Sequence, residues 1–401
     1  MFALFIYRIC LTVYYLGIHI AALFSEKADR WRKGRTIALP NLPPAKQKRI
    51  WFHCASLGEF EQARPLIDKL EQHYPDVEIM LTFFSPSGYD LCEQLPYSFV
   101  GYLPWDTHFS ASGFLEKLKP DMAIFIRYEL WHYTLNELKK KNIPVFLVGA
   151  LIRAESIYLK PWGILHRKML RLFSAVFVQD DQSAALISTF LLQPVVACGD
   201  PRMDRVLSLS TTPYADKELD RFCNEKTLIA GSLWPEDVPV IKAFLIDPRF
   251  SDWKIVCFPH QMDEELQKKW MNVWGDRAAY SGFCTPETRL LLIPRMGILS
   301  KAYRYGRIAY VGGGFGHAVH NVVEAAVYGL GVICGPAMTK SREAEDLSLL
   351  NALIVIQQPH QLADAAQQLL NNKQCAKLAK QYVTHQSGSS ARILSHLQQF
   401  L

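Results

Sequence analysis

Short apolar runs of strand length alternate along most of the chain with stretches whose apolar residues recur every three or four positions. The first set of runs falls at residues 50–55, 77–82, 122–126, 145–148, 176–179 and 195–198. A second set falls at 228–230, 255–258, 290–293, 308–311, 332–334 and 353–356. The stretches between most of them carry the helical period. Over 60–73, for example, Phe60, Ala63, Leu66, Ile67 and Leu70 share one helix face. Alternation of this kind predicts parallel sheets covered by helices on both sides. The polar segment over 204–217 reads as a linker, and the tail from 361 to 401 reads as helical. The expected architecture is therefore α/β, with two doubly wound domains over 25–210 and 218–401. Ligands would then lie at the carboxyl ends of the strands, in a central cleft that the two domains face.

Residues 1–24 break this pattern, being nearly all apolar or aromatic apart from Arg8 and His19. The uninterrupted part, 9–24, falls short of the ~20 residues that span a bilayer comfortably. It reads as a membrane anchor: an uncleaved signal anchor, a short transmembrane helix, or a helix in the interface. A buried N-terminal helix is the bland alternative. Between residues 25 and 50 stand eight Lys or Arg against two acidic residues. Lys27, Arg30, Arg32, Lys33 and Arg35 would stay cytoplasmic and attract anionic headgroups, which predicts a body held at a membrane surface.

With half of its 401 residues apolar and a fifth charged, the chain is globular and not disordered. Nine cysteines are scattered without a C-x-x-C pair, and no Asp-x-Asp occurs, so neither a metal nor a disulfide framework is expected. The net charge of +6 is concentrated beside the apolar terminus, and no nucleic-acid-binding motif accompanies it.

Candidate chemistry gathers at strand ends. The stretch YVGGGFGHAVHNVVEAAVYGLGVICGP, residues 310–336, runs from a strand through three glycines into a helix expected to open at Asn321. Backbone N–H groups there, at Gly313 and Gly314 among others, suit a phosphate, and Glu324 could accept hydrogen bonds from a ribose diol. Together they suggest a nucleotide-sugar pocket. In His53-Cys54-Ala55-Ser56-Leu57-Gly58-Glu59, Glu59 follows a strand and is a candidate general base, and Gly58 would let a substrate approach the backbone. Both Ser56/Glu59 and Asn321/Glu324 also have the spacing of a capping box, in which the carboxylate would serve only the helix. Glu129 follows the strand at 122–126 and lies between Arg127 and Trp131; an Arg127–Glu129 ion pair is the alternative there. Arg153 with Ser156, and Arg202 with Asp204, mark two more strand-end loops where arginines would suit a phosphorylated or carboxylated substrate.

Together these segments resemble the Kdo transferases, enzymes of lipopolysaccharide biosynthesis that move 3-deoxy-D-manno-oct-2-ulosonic acid (Kdo) from CMP-Kdo onto lipid A precursors. The matching pieces are the N-terminal anchor, HCASLGE, LTFFSPSG, YLPWD, the ELW at 129–131, GDPRMDRV, AGSLWPED and VGGGFGHAVHNVVEAA, in the family's order. The resemblance implies the GT-B fold, with two Rossmann-like domains. It implies that Glu59 is the catalytic base and Glu129 a second acid on the acceptor side, with Ser56, Gly58, Arg153 and Arg202 towards the acceptor. The CMP side would be built from Pro259 and His260, from Met296, Gly297 and Ile298, and from His320, Asn321, Val322, Val323 and Glu324. The chain departs from the family at Phe258-Pro259-His260, where many members have Pro-Arg-His, and at Ile298, where many have Glu. The reaction implied is an inverting transfer to the 6′-hydroxyl of lipid IVA, without a cofactor, on the cytoplasmic face of the inner membrane. The alternatives are another GT-B nucleotide-sugar enzyme and an inactive nucleotide-sugar-binding protein.

Overall fold

A computed structural model describes residues 2–36, 42, 47–338 and 341–401. Lys46, part of the basic stretch, lies outside the described residues. The chain divides into two compact units, residues 1–205 with 388–401 and residues 206–387. The first holds strands β1 Arg49–Cys54, β2 Glu78–Phe83, β3 Phe99–Tyr102, β4 Met122–Ile126, β5 Val145–Ala150, β6 Ala175–Val178 and β7 Val195–Ala197. They form one sheet in the order β3-β2-β1-β4-β5-β6-β7, every pair parallel. The second holds β8 Thr227–Leu233, β9 Lys254–Pro259, β10 Ala278–Tyr280, β11 Leu290–Leu292, β12 Ile308–Val311, β13 Gly331–Cys334 and β14 Leu353–Val355. Their order is β10-β11-β9-β8-β12-β13-β14, again all parallel.

Central strands such as β1, β4 and β12 are buried at every position, because helices cover both faces; the polar residues this leaves inside β1, Arg49 and His53, are paired with Glu78 and Glu129. That is why they read as continuous apolar runs. The two strands with no such run, β3 and β10, are the outermost of their sheets on one side. An edge strand pairs along one side only. It therefore tolerates Gly101 in β3 and three half-buried residues in β10, and its periodic signal is weak.

Two expectations are corrected here. The polar stretch at 204–217 is not an extended linker: the helix Pro201–Thr211 runs through its first half, and the boundary between the units falls inside that helix. Met203 and Val206, three apart, are buried on it. Its polar end closes on itself, with the Ser210 hydroxyl donating to the Leu207 carbonyl and the Thr212 hydroxyl to Ser208.

The C-terminal helices also do not all belong to the second unit. Ser389–Leu397 returns to the first, where Ile393, Leu394 and Leu397 share a core with Phe60, Leu66 and Ile67. The Asp204 carboxylate accepts the N–H groups of Gly388 and Ser390, the latter at 2.6 Å, and so caps this helix. Arg392 Nε donates to the Cys198 carbonyl at 2.9 Å.

The N-terminal helix, Phe2–Ala21, is long and apolar enough to cross a membrane. Phe2, Phe5, Ile6, Ile9, Val13, Leu16 and Ile20 form an exposed stripe at helical spacing. Ala3 and Tyr7, on the other side, pack against the first unit's core.

Leu397→Ala should destabilise the protein by about 2–5 kcal/mol in urea denaturation, as burial of a leucine is lost and a cavity opens. Hydrogen exchange should place that loss in β1 and the helix Leu57–His73, leaving β8 to β14 as protected as before.

Candidate functional site

The strand order reverses between β1 and β4 in the first unit and between β8 and β12 in the second. Loops leaving the carboxyl ends of the two strands at such a reversal run in opposite directions and open a crevice. The singled-out residues stand largely at these two places.

In the first unit, β1 leads through Ser56 into the helix Leu57–His73, with Glu59 on its first turn. Ser56 makes no side-chain cap. Its hydroxyl donates instead to Glu59 Oε2, so the pair is not a capping box. Gly58 is exposed beside them, and a Cβ there would meet only Ser56 Oγ, at 3.7 Å.

Glu129 stands after β4, across the reversal. Its Oε2 accepts from Trp131 Nε1 at 2.8 Å and lies 3.2 Å from His53 Nε2. His53 is wholly buried, and its Nδ1 is 2.9 Å from Thr82 Oγ1, which accepts from Trp51 Nε1 at 2.8 Å. A carboxylate can only accept, so His53 donates to Glu129 through Nε2, while its Nδ1 is bonded to Thr82 Oγ1, which also lies 3.5 Å from the Phe52 carbonyl. A chain of donors thus fixes one oxygen of Glu129. The other oxygens of Glu129 and Glu59 have no hydrogen-bond partner among the described residues. Arg127, at φ +65, does not pair with Glu129: it donates to Gln62 Oε1 at 2.9 Å.

The remaining arginines differ from one another. Arg153 is exposed and has no ion pair among the described residues. Arg202 is bound to Asp200, N···O 2.6 Å, and the neighbouring Asp204 caps the C-terminal helix. The second loop is therefore tied to its own neighbours, and of the two arginines Arg153 is the exposed one.

In the second unit the organising group is one that the motif reading passed over. Asp237, fully buried in the short helical turn Pro235–Asp237 that follows β8, accepts from Tyr310 Oη at 2.6 Å and from the N–H groups of Trp234 and Gly313, each at 2.9 Å. Burial raises its pKa above the usual carboxylate value, and these three bonds oppose the rise. The glycine loop accordingly differs from expectation. The Gly312 N–H donates to the Gly231 carbonyl at 2.9 Å and the Gly313 N–H to Asp237, so neither is left for a phosphate. The glycines serve close approach: a Cβ on Gly312 would lie 2.5 Å from the Ser232 carbonyl oxygen, and one on Gly314 2.6 Å from the Gly335 backbone. Nor does the helix open at Asn321. It spans only Val323–Ala326, with Val322 before it, too short for a substantial dipole. The Asn321 amide donates to Glu324 Oε1 at 3.0 Å, again not a capping box.

Beyond that loop is an aromatic stack. Trp234 lies face to face with His317, centroids 3.8 Å apart, and with His260 at 4.4 Å. Trp234 Nε1 donates to His320 Nε2 at 2.9 Å, and His320 lies 4.4 Å from His260. The structure thus brings His260, from the end of β9, to His320, from the β12 loop. Met296 and Gly297 form an exposed turn after β11, with Gly297 at φ +80. Ile298 starts the short helix Leu299–Ala302, whose Leu299 packs on Gly231. Burial, with His260 and His317 adding to it, lowers the pKa of His320 to about 4. Among the described residues, no group of three or more His, Cys, Asp or Glu is placed to hold a metal.

Two doubly wound parallel sheets define the GT-B class, and solved structures of that class overlay the chain. A UDP-N-acetylglucosamine 2-epimerase from Listeria monocytogenes matches 88% of this chain and 98% of its own at TM-score 0.63 and 15% identity. MurG of Acinetobacter baumannii matches 88% and 100% at TM-score 0.53 and 14% identity. A family model described as 3-deoxy-D-manno-octulosonic-acid transferase (kdotransferase) matches residues 29–205. The 3-deoxy-D-manno-octulosonic acid transferase of Rickettsia felis is 26% identical over 340 residues, 80% of this chain and 71% of that protein. The transferase of that name from Aquifex aeolicus is 26% identical over 303 residues, 74% and 78%. The chain is thus similar to the Kdo transferases, over residues 29–205 by the family model and over 74–80% of its length by these two relatives.

His320 is held neutral in the folded protein and protonates nearer its ordinary value when unfolded. Its contribution to stability is therefore present above pH 6.5 and lost as pH falls towards about 4. Thermal unfolding from pH 7 to pH 4 should show a shallower fall in Tm for His320→Gln than for the wild type.

Proposed function

We propose that the protein transfers Kdo from CMP-Kdo to the 6′-hydroxyl of a lipid A precursor, lipid IVA, with inversion at the anomeric carbon. The observation that carries this reading is the pair Glu59 and Glu129 across the reversal in the first unit, each fixed through one oxygen and, among the described residues, open at the other. Glu59 takes the hydroxyl proton as that oxygen bonds to the anomeric carbon of Kdo. The bond from that carbon to the CMP phosphate oxygen breaks, and CMP leaves with the electron pair. A single displacement of this kind inverts the centre. Its leaving group is a phosphate monoester anion, so the reaction as written calls for no cofactor.

Glu129, held by His53 and Trp131, orients the acceptor, and exposed Arg153 meets one of its phosphates. Ser56 fixes the base, and Gly58 leaves room beside it. On the donor side Pro259, His260, Met296, Gly297, Ile298, Gly313, Gly314, His320, Asn321, Val322, Val323 and Glu324 surround CMP. Gly313, whose N–H is given to Asp237, shapes the loop there, and the Gly314 N–H is the one of the pair that meets the phosphate. Trp234 and its histidines offer a flat surface for the base, with Glu324 towards the ribose. The apolar N-terminal helix, followed by Lys27 and Arg30, holds the catalytic units on the cytoplasmic face of the inner membrane.

Incubation with CMP-Kdo, made in situ, and a tetra-acylated disaccharide bisphosphate lipid should yield product carrying Kdo by mass spectrometry. Calorimetric titration should show CMP displacing UDP and not the reverse; a preference for UDP would indicate another nucleotide-sugar enzyme. Glu59→Gln should lower transfer by at least ~100-fold, the usual worth of a positioned base, while CMP binds as before. Loss of both transfer and CMP binding in that variant would reduce Glu59 to a structural group.

A further inference from the structure

The face of the N-terminal helix opposite its apolar stripe is bonded to the segment that carries Glu129. The helix that follows Glu129, His132–Lys140, has Trp131 at its N-cap, and Trp131 supplies no capping side chain because an indole N–H can only donate; it donates to Glu129. The orphan N–H groups of that helix are satisfied from elsewhere. The buried Asp106 carboxylate accepts from Thr134 N at 2.8 Å, Thr134 Oγ1 at 2.7 Å and Tyr133 N at 3.0 Å. Tyr7, on the N-terminal helix, donates its hydroxyl to Asp106 Oδ2 at 2.6 Å and accepts from His132 N at 3.3 Å. The first three amides of the helix are thus held by one carboxylate and one phenol. The neighbouring Arg8 donates to Tyr133 Oη.

A second route reaches the same loop. Tyr14 lies 6.0 Å from Phe84, which stacks on Trp131 at 5.1 Å and 26°. Trp131 is the residue whose indole fixes Glu129. Tyr7 and Tyr14 are seven apart, two turns along one face of the helix, while the apolar stripe occupies the other.

We propose that Tyr7 is a positioning residue for the Glu129 loop. Through Asp106 and the start of the following helix it holds Trp131, and hence Glu129, in place, so the apolar N-terminal helix is part of the acceptor machinery as well as an attachment to the membrane. The assignment rests on the transfer reading above. It extends it by making the membrane-facing helix and the second carboxylate one mechanical unit.

The test compares full-length wild type, Tyr7→Phe and Ile9→Asn in the same anionic phospholipid vesicles. Tyr7→Phe removes one hydroxyl and keeps the ring, so the helix remains docked through Ala3 and Tyr14. Hydrogen exchange at residues 132–134 should quicken about tenfold in Tyr7→Phe, and kcat should fall about fivefold to tenfold, the size of one lost hydrogen bond. The KM for CMP-Kdo and the vesicle-bound fraction should stay at wild-type values. Ile9→Asn, on the exposed stripe, should weaken vesicle binding and leave exchange at 132–134 unchanged.

The proposal is overturned if Tyr7→Phe keeps full kcat and slow exchange. It is equally overturned if exchange quickens throughout β1 and β4, which is general destabilisation, or if the activity loss merely follows a loss of vesicle binding. Should the wild type itself transfer nothing, the functional reading falls separately, and exchange alone decides whether Tyr7 holds the loop.

Discussion

Parallel pairing with both faces of each sheet buried is the constraint on which the rest of this protein depends. A strand covered on both sides has no place for an unpaired charged side chain, so polar chemistry that must stay open is driven to the strand ends. The order of strands reverses at β1/β4 in one unit and at β8/β12 in the other, and there the strand-end loops part. Glu59 and Glu129 follow the strands of the first reversal. Asp237 and the 312–324 loop follow those of the second.

At each reversal a fully buried carboxylate organises backbone that has no cap of its own. Asp106 accepts four hydrogen bonds around the start of the helix after Glu129, and Asp237 accepts three that draw Trp234, Tyr310 and Gly313 together. A buried carboxylate is costly unless its lone pairs are filled, and here they are filled largely by N–H groups that would themselves be orphaned. The two needs cancel. The catalytic candidates can then remain open towards ligand, since the rigidity of their surroundings comes from other acids.

The central strands were legible because their apolar runs are local and uninterrupted. The places of Glu59 and Glu324, each in the first turn of a helix that follows a strand, were legible because both stand inside recognisable motifs. β3 and β10 were not, since a strand paired on one side carries little periodic signal. The capping-box spacing of Ser56/Glu59 and Asn321/Glu324 misled, because spacing does not say which atom donates; in both pairs the side chains bond to each other. GDPRMD looked like a substrate loop, and its charges instead close on Asp200 and on the C-terminal helix.

The sequence by itself determined the class of fold, the strands at the centre of each sheet, the apolar N-terminal helix and the loops where chemistry can stand. These follow from patterns a few residues long, which local backbone geometry and side-chain period dictate. Only the tertiary structure decided that Gly388–Leu401 belongs to the first unit, that Asp106 receives Tyr7, and that the glycine loop bends towards Asp237. Those pairings join residues 184, 99 and 76 positions apart. No period in a linear pattern reports them, because the partner of a buried polar group is set by which strands the sheets place side by side.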